Sequence, residues 1–278
     1  MLINFKIDES KCIKCAKCFK ECPTRVIKLS DKNKIPFIPA DKEESCILCQ
    51  HCLAVCPAAA LSIDGLDPQN SVSAGKTSVE SEQMENLIRC RRSCRSYLDE
   101  NLDPGIINKM LEMAANAPTG VNSRSTAFSV INNMETMLKF KTEAMNRLSE
   151  KIKNYQLPQQ LDFFTDFSKK WEEKKIDIIF RNAPHMIIAH APKDSPTPET
   201  DCAIALSYFE IYAQTLQIGT LWCGMAKWLI CDIAPELKKV LKIDENNSVG
   251  YIMLFGRPAV KYARGVQRNA EKIAFIKM

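Results

Sequence analysis

Eight of the thirteen cysteines in this 278-residue chain lie between residues 12 and 56, and no other feature restricts its folding as strongly. They form two blocks of one pattern, C-x2-C-x2-C-x3-C-P: Cys12, Cys15, Cys18 and Cys22 before Pro23, then Cys46, Cys49, Cys52 and Cys56 before Pro57. Two-residue gaps let a short loop turn its thiolates inward around one compact inorganic centre, and the proline fixes the backbone as it leaves. Structural zinc also uses four thiolates, but as two C-x2–4-C pairs separated by a longer spacer. Disulfides belong to oxidising compartments, and the opening residues MLINFKIDES contain no apolar signal-peptide core. The spacing therefore points to two [4Fe–4S] clusters in a chain expected in the reducing cytoplasm.

The whole segment 5–63 resembles the bacterial two-cluster ferredoxin domain, with PTRVIKL after the first block and PAAALSI after the second as the chain turns back into a short strand. In that family the fourth cysteine of each block serves the other cluster. The resemblance thus implies that Cys12, Cys15, Cys18 and Cys56 hold one centre, and Cys46, Cys49, Cys52 and Cys22 the other. A longer intervening stretch, SDKNKIPFIPADKEES, is expected to form a hairpin excursion. From Met1 to Asp64 there are ten Lys or Arg against eight Asp or Glu. This balance favours an acidic electron donor such as a separate ferredoxin or flavodoxin. With only cysteine ligands, such a module passes single electrons and leaves no iron open for organic chemistry.

The rest of the chain must supply the terminus of that wire. Residues 1–64 are read as the two-cluster domain, 65–83 (polar, with Gly and Ser and no apolar period) as a linker or surface strap, and 84–278 as a larger domain. A net charge of +5 is too mild to argue for nucleic acid. No run reaches the roughly 18 apolar residues of a membrane helix. DPGIINKMLEMAANAP predicts a helix capped by Asp103 with Pro104 in its first turn, burying Ile106, Ile107, Met110, Leu111 and Ala114. STAFSVIN, HMIIAHA and VGYIMLFGRP read as strands, residues 134–180 as a pair of charged helices or an insertion, and TDCAIALSYFEIYAQTLQIG as a central helix. The expectation is an α+β domain, with no G-x-G-x-x-G after a strand and no phosphate loop of the Walker type.

RCRRSCR at 89–95 places four arginines in seven residues, a solvated basic face or a phosphate grip. ANAPTGVNSR at 115–124 exposes backbone groups and an amide at a helix end, suited to the edge of a flat heterocycle. Together these stretches resemble the nitroreductase family of flavin enzymes, which has R-R-S-x-R and then A-P-S-x-x-N after the next helix. Over about residues 87–276 the resemblance implies a central, mostly antiparallel sheet surrounded by helices, with FMN as cofactor. Arg91, Arg92, Ser93 and Arg95 would then meet the phosphate and ribityl end. Pro118, Thr119 (a serine in most relatives) and Asn122 would lie along the isoalloxazine ring. LQIGTLWCG is similar to the family element passing beside the flavin and contributes Gly219, Thr220 and Gly224. LFGRPA is similar to its strand end, and Arg264 and Arg268 to the basic tail reaching the phosphate. The family is a homodimer with each flavin contacted by both chains, which would place the apolar helix 203–218 in the dimer core.

On this resemblance the chain is an FMN-dependent oxidoreductase that receives single electrons through the clusters. It passes hydride from flavin N5 to a small electrophile such as a nitroaromatic, without an acid–base side chain. Quinone or enone reduction and electron relay to a partner protein are the other readings, and NAD(P)H is a further possible donor. His51 sits inside the second cysteine block but is not needed as a ligand; His185 and His190, flanking MIIA, are expected to be structural. Cys90 and Cys94 bracket the arginines and Trp222 adjoins the flavin element, all three with packing roles as the simpler reading. Cys202, Cys223 and Cys231 share no metal spacing.

Overall fold

The computed structural model describes residues 3–76, 79–268 and 272–278. The chain divides into two compact units, Met1–Val79 with Val121–Ser123 and Glu80–Gly120 with Arg124–Met278.

In the first unit β1 (Phe5–Ile7) leads through the first cysteine loop to α1 (Lys17–Glu21), β2 (Lys28–Leu29) and β3 (Pro36–Phe37). The second loop leads to α2 (His51–Ala54) and β4 (Leu61–Ile63). β1 pairs antiparallel with β4, Phe5 facing Ile63, and β2 pairs antiparallel with β3. The stretch between the blocks is the hairpin its sequence predicts, closed by Lys34 N–H to the Ser30 carbonyl and Ser30 N–H to the Ile35 carbonyl. Val26, Ile27, Leu53, Leu61 and Ile63 form a small core on which cysteines from both blocks pack.

The cysteine repeat extends to the backbone. Lys14, Ala16 and Arg25 have positive φ, and so do their counterparts Leu48, Gln50 and Ala59, each 34 positions later. None is glycine, so each turn holds a side chain in the left-handed region at a cost of about 1–2 kcal/mol. Two segments of different sequence thus share one backbone course, with the left-handed positions at matching places in both.

The second unit opens with α3 (Ser81–Cys90), which begins inside the stretch read from sequence as linker. α4 (Pro104–Ala114) is capped as predicted, Asp103 accepting from the N–H groups of Gly105 and Ile106, and it buries Ile107, Met110 and Ala114. β5 (Ala127–Ile131), the helix pair α5 (Met134–Lys153) and α6 (Phe164–Lys174), and β6 (His185–Pro192) follow. Next come α7 (Pro198–Thr215), β7 (Gly219–Trp222), α8 (Gly224–Trp228), a π-turn over Leu229–Ile233, α9 (Leu237–Val240) and β8 (Asn247–Gly256). The sheet is antiparallel throughout in the order β5-β6-β8-β7.

β6 is buried from His185 to Ala191, so hydrophobic layers cover both of its faces. One layer comes from α5, α6 and α8, with Met137, Phe140, Leu148, Phe164 and Leu229 in its core. The other comes from α4 and α7, with Met110, Leu206, Phe209 and Ala213. α5 is therefore part of the core, not an insertion. α7 ends at Thr215, short of the 218 implied by its apolar run. Gln217 takes a left-handed φ of 57°, and Leu216 and Ile218 N–H both return to the Ala213 carbonyl. Ile218 stays buried while the chain reverses into β7.

Candidate functional site

The eight block cysteines sort into two hollows. One is lined by Cys12, Cys15, Cys18 and Cys56, with Ile7, Ile13 and Leu61. The other is lined by Cys22, Cys46, Cys49 and Cys52, with Val26, Ile27 and Ile63. Each takes three thiols from one loop and one from the other, because α1 and α2 pack together and carry each fourth cysteine across. Among the described residues no three His, Cys, Asp or Glu side chains converge as ligands of one metal ion do. The thiols instead line the walls of a cavity. Burial pushes the Cys52 thiol up to about 11 and raises Cys18 and Cys46. At Cys22 burial is outweighed by the amides of Ile27 and Val26 and by Thr24, and the thiol is shifted down. Backbone donors aimed at sulfur in an apolar wall suit thiolates bound to a cluster. His51 is exposed, with Nδ1 3.2 Å from the Cys49 carbonyl oxygen.

In the second unit the arginine segment leaves α3 and runs beside β7. Ser93 bridges Thr220, and Cys94 N–H donates to the Thr220 carbonyl at 2.8 Å. Gly219 allows this approach: a Cβ there would stand 2.7 Å from both Cβ and Sγ of Cys94. Arg91, Arg92 and Ser93 are half-buried and Arg95 is exposed, its Nη1 donating to the Ser93 carbonyl at 3.4 Å. Cys94 is buried with its thiol on the Ser96 carbonyl, and Cys90 is exposed.

Residues predicted at the flavin are thus partly brought together. Arg92 and Gly219 line one open cavity with Gln214, Arg257, Lys261 and Tyr262. Tyr262 Oη donates to the Ser93 carbonyl at 3.4 Å, bringing the tail to the arginine segment. Arg264 and Arg268 lie exposed further along the tail, where the backbone passes Arg89 at Gly265. Gly224 opens α8, where an added Cβ would stand 3.3 Å from the Tyr251 hydroxyl.

The 117–124 turn is anchored elsewhere. Gly120 N–H donates to Asp201 at 3.1 Å, Thr197 Oγ1 donates to the same carboxylate at 2.8 Å, and Thr119 Oγ1 accepts from Arg124 N–H. Pro118 is exposed, and the Asn122 amide donates to the Ile47 carbonyl at 2.7 Å within the first unit.

One residue of this region was not found from sequence. Glu210, buried on α7, accepts from Arg91 Nη1 at 3.1 Å, Thr220 Oγ1 at 2.9 Å and Trp222 Nε1 at 3.0 Å. A lone acid in the apolar run SYFEIYAQ was its available signal. Trp222 is thereby held by its indole N–H and by edge contact with Tyr251.

Both strand histidines are structural, as expected. His190 lies between Ser129 and Asn247, at 3.2 and 2.8 Å. His185 Nε2 accepts from Leu102 N–H at 3.0 Å, which leaves the proton on a buried, unpartnered Nδ1. Burial lowers its pKa to about 4.

Residues 88–257 match the model of the "Nitroreductase family", and residues 5–63 match that of the "4Fe-4S dicluster domain". No curated protein matches the chain. Among solved structures it is similar to a nitroreductase with bound FMN from Bacteroides fragilis, with 19% identity over 72% of this chain and 100% of that one and a TM-score of 0.57. It is similar to another with bound FMN from Desulfitobacterium hafniense (22%; 70% and 98%; 0.55). A third is an FMN-dependent nitroreductase from Clostridium difficile (16%; 70% and 100%; 0.51). At these identities the likeness is one of fold. Among the described residues no helix is long and apolar enough to cross a membrane.

Proposed function

The chain belongs to the nitroreductase family, and on that premise we propose that it is an FMN-dependent oxidoreductase supplied through two [4Fe–4S] clusters. The observation that carries this reading is the sorting of the cysteines, four thiols to each hollow and one of each four donated by the other loop. That is the ligand set two linked clusters require. Clusters held by these cysteines would supply one-electron transfer, and FMN held by the arginine segment would supply two-electron hydride transfer to a small electrophile such as a nitroaromatic.

The chain's own residues bind and orient. Arg91, Arg92, Ser93 and Arg95 take the anionic end of the flavin, with Arg264 and Arg268 closing on it from the tail. One Arg91 donor is committed to Glu210, which leaves four of the five guanidinium N–H groups for phosphate. The Thr220 hydroxyl is likewise committed, so Thr220 and Gly219 act through backbone and close approach, with Gly224 beside them. Pro118, Thr119 and Asn122 belong along the ring. The anchor of their turn, Asp201, stands nine residues before Glu210 on α7, about 13 Å along the axis. Such separation fits a homodimer in which each flavin draws on both chains. α7 leaves Tyr208 44% exposed, with Ile204 and Ile211 half-buried beside it.

The test is anaerobic purification followed by stepwise reduction. The expected protein carries about eight irons and about one FMN per chain, and its reduced flavin is rapidly reoxidised by a nitroaromatic. Zinc in place of iron, or no yellow cofactor, overturns the reading. Reoxidation only by a protein acceptor makes the chain an electron relay.

A further inference from the structure

The two cysteine loops are alike in backbone and unlike in charge. From Asp8 to Glu21 the first carries Lys11, Lys14, Lys17 and Lys20 against Asp8, Glu9 and Glu21, with no acid between Lys11 and Lys20, whereas Cys46–Cys56 of the second holds no Lys, Arg, Asp or Glu and is preceded by Asp41, Glu43 and Glu44 against Lys42. Exposed apolar side chains are interspersed with these lysines: Ile13 is 64% exposed and Phe19 40% exposed. Lys14, Lys17 and Ile13 border the hollow lined by Cys12, Cys15, Cys18 and Cys56, and Lys17 and Lys20 share one side of α1 at the i,i+3 spacing. Lys11 is paired with Asp8 at 2.9 Å, but among the described residues Lys14, Lys17 and Lys20 have no ion pair. The counterpart of exposed Cys15 in the second loop, Cys49, is half-buried.

Three cations with no ion pair among the described residues, with exposed Ile13 beside them at the rim of the hollow, form a surface for a negatively charged partner: the charges steer the encounter and the apolar side chain is covered on contact. We propose that the first loop is the docking face for an acidic one-electron carrier, and that electrons enter at the Cys12/Cys15/Cys18/Cys56 centre and not at its twin. On docking, one electron leaves the carrier, which is oxidised, and arrives within that ring of thiolates, where the iron–sulfur centre is reduced. This assignment rests on the iron–sulfur reading above and adds to it the partner's chemistry and the point of entry.

The test uses the full-length protein and a reduced, strongly acidic bacterial ferredoxin as probe. The triple variant Lys14→Glu/Lys17→Glu/Lys20→Glu is compared with Lys32→Glu/Lys34→Glu, which alters two exposed lysines of the hairpin in the same unit. In low salt, cluster bleaching by the ferredoxin should slow about tenfold or more in the triple variant, stay within about twofold in the control, and converge as salt rises. Reduced methyl viologen, a cation, should bleach both variants at least as fast as wild type. Carbodiimide coupling of the ferredoxin's carboxylates, read by peptide mapping without turnover, should fall on Lys14, Lys17 and Lys20. Wild-type rates in the triple variant, equal slowing in the control, or cross-links elsewhere overturn the docking face while viologen bleaching leaves the clusters standing. A protein that viologen cannot bleach overturns the iron–sulfur reading itself.

Discussion

Arg91 and Glu210 form an ion pair of 3.1 Å in which the carboxylate side chain is only 10% exposed. The same carboxylate holds Thr220 and Trp222 of β7, so one acid on α7 ties the arginine segment to the strand beside it. Glu210→Ala leaves an uncompensated, largely buried guanidinium and two donors without acceptors. The expected loss is about 3 kcal/mol, read from urea unfolding by tryptophan fluorescence, with weaker FMN retention. All three tryptophans lie in the larger unit, so the signal reports that unit. Thr220 and Trp222 donate to separate oxygens of the carboxylate, so Glu210→Gln, with a single acceptor oxygen, can satisfy only one of them and should recover part of the loss; a loss equal to that of Glu210→Ala would show that the charge carries the whole effect.

Crossed ligation gives a pairing rule. Cys12→Ala and Cys56→Ala should each remove the same reduced-cluster EPR signal and about half the iron, and Cys22→Ala and Cys46→Ala should remove the other. Loss of one signal on changing Cys12 and Cys22 together, with Cys56 tied to Cys46, would mean that each block serves a single centre.

His185 makes the larger unit acid-sensitive. Its folded pKa of about 4 lies below the 6.5 of an unfolded histidine, so between those values the unfolded chain binds the extra proton. The neutral ring's contribution is complete above pH 6.5 and is lost as pH falls through 4, in total about 3 kcal/mol at 1.36 kcal/mol per unit. Urea midpoints at pH 7 and pH 4.5 should diverge more in wild type than in His185→Gln, whose carbonyl can still accept from Leu102. Parallel curves would refute this.

Gly219 is required for space. A methyl there meets both Cys94 atoms at 2.7 Å in a backbone-paired segment. Gly219→Ala should therefore destabilise by about 1–3 kcal/mol and loosen the arginine segment, detected as faster loss of flavin on dialysis. A stable variant with unchanged flavin retention would show that the segment is free to shift.

What the sequence made legible follows from how local each signal is. The cysteine blocks, the Asp103 cap and the run of β6 are encoded within a few residues, and each appears where its pattern places it. The chain reversal at Gln217 and the four-residue β7 depend on tertiary pairing with β8 and the arginine segment, which no short window displays. α5 was ambiguous because its many charges mask a buried stripe through Met137, Phe140, Ala144 and Leu148. Glu210 escaped notice for the opposite reason. A single carboxylate in an apolar helix is unremarkable until its three donors, on other elements, are seen around it.

Duplicated halves, left alike, would give a module with no front and no back. Here the left-handed turns of the two loops coincide at three matched positions, yet only the first loop carries lysines, three of them without an ion pair among the described residues. Surface decoration alone, laid over identical scaffolding, is enough to give such a conduit a polarity.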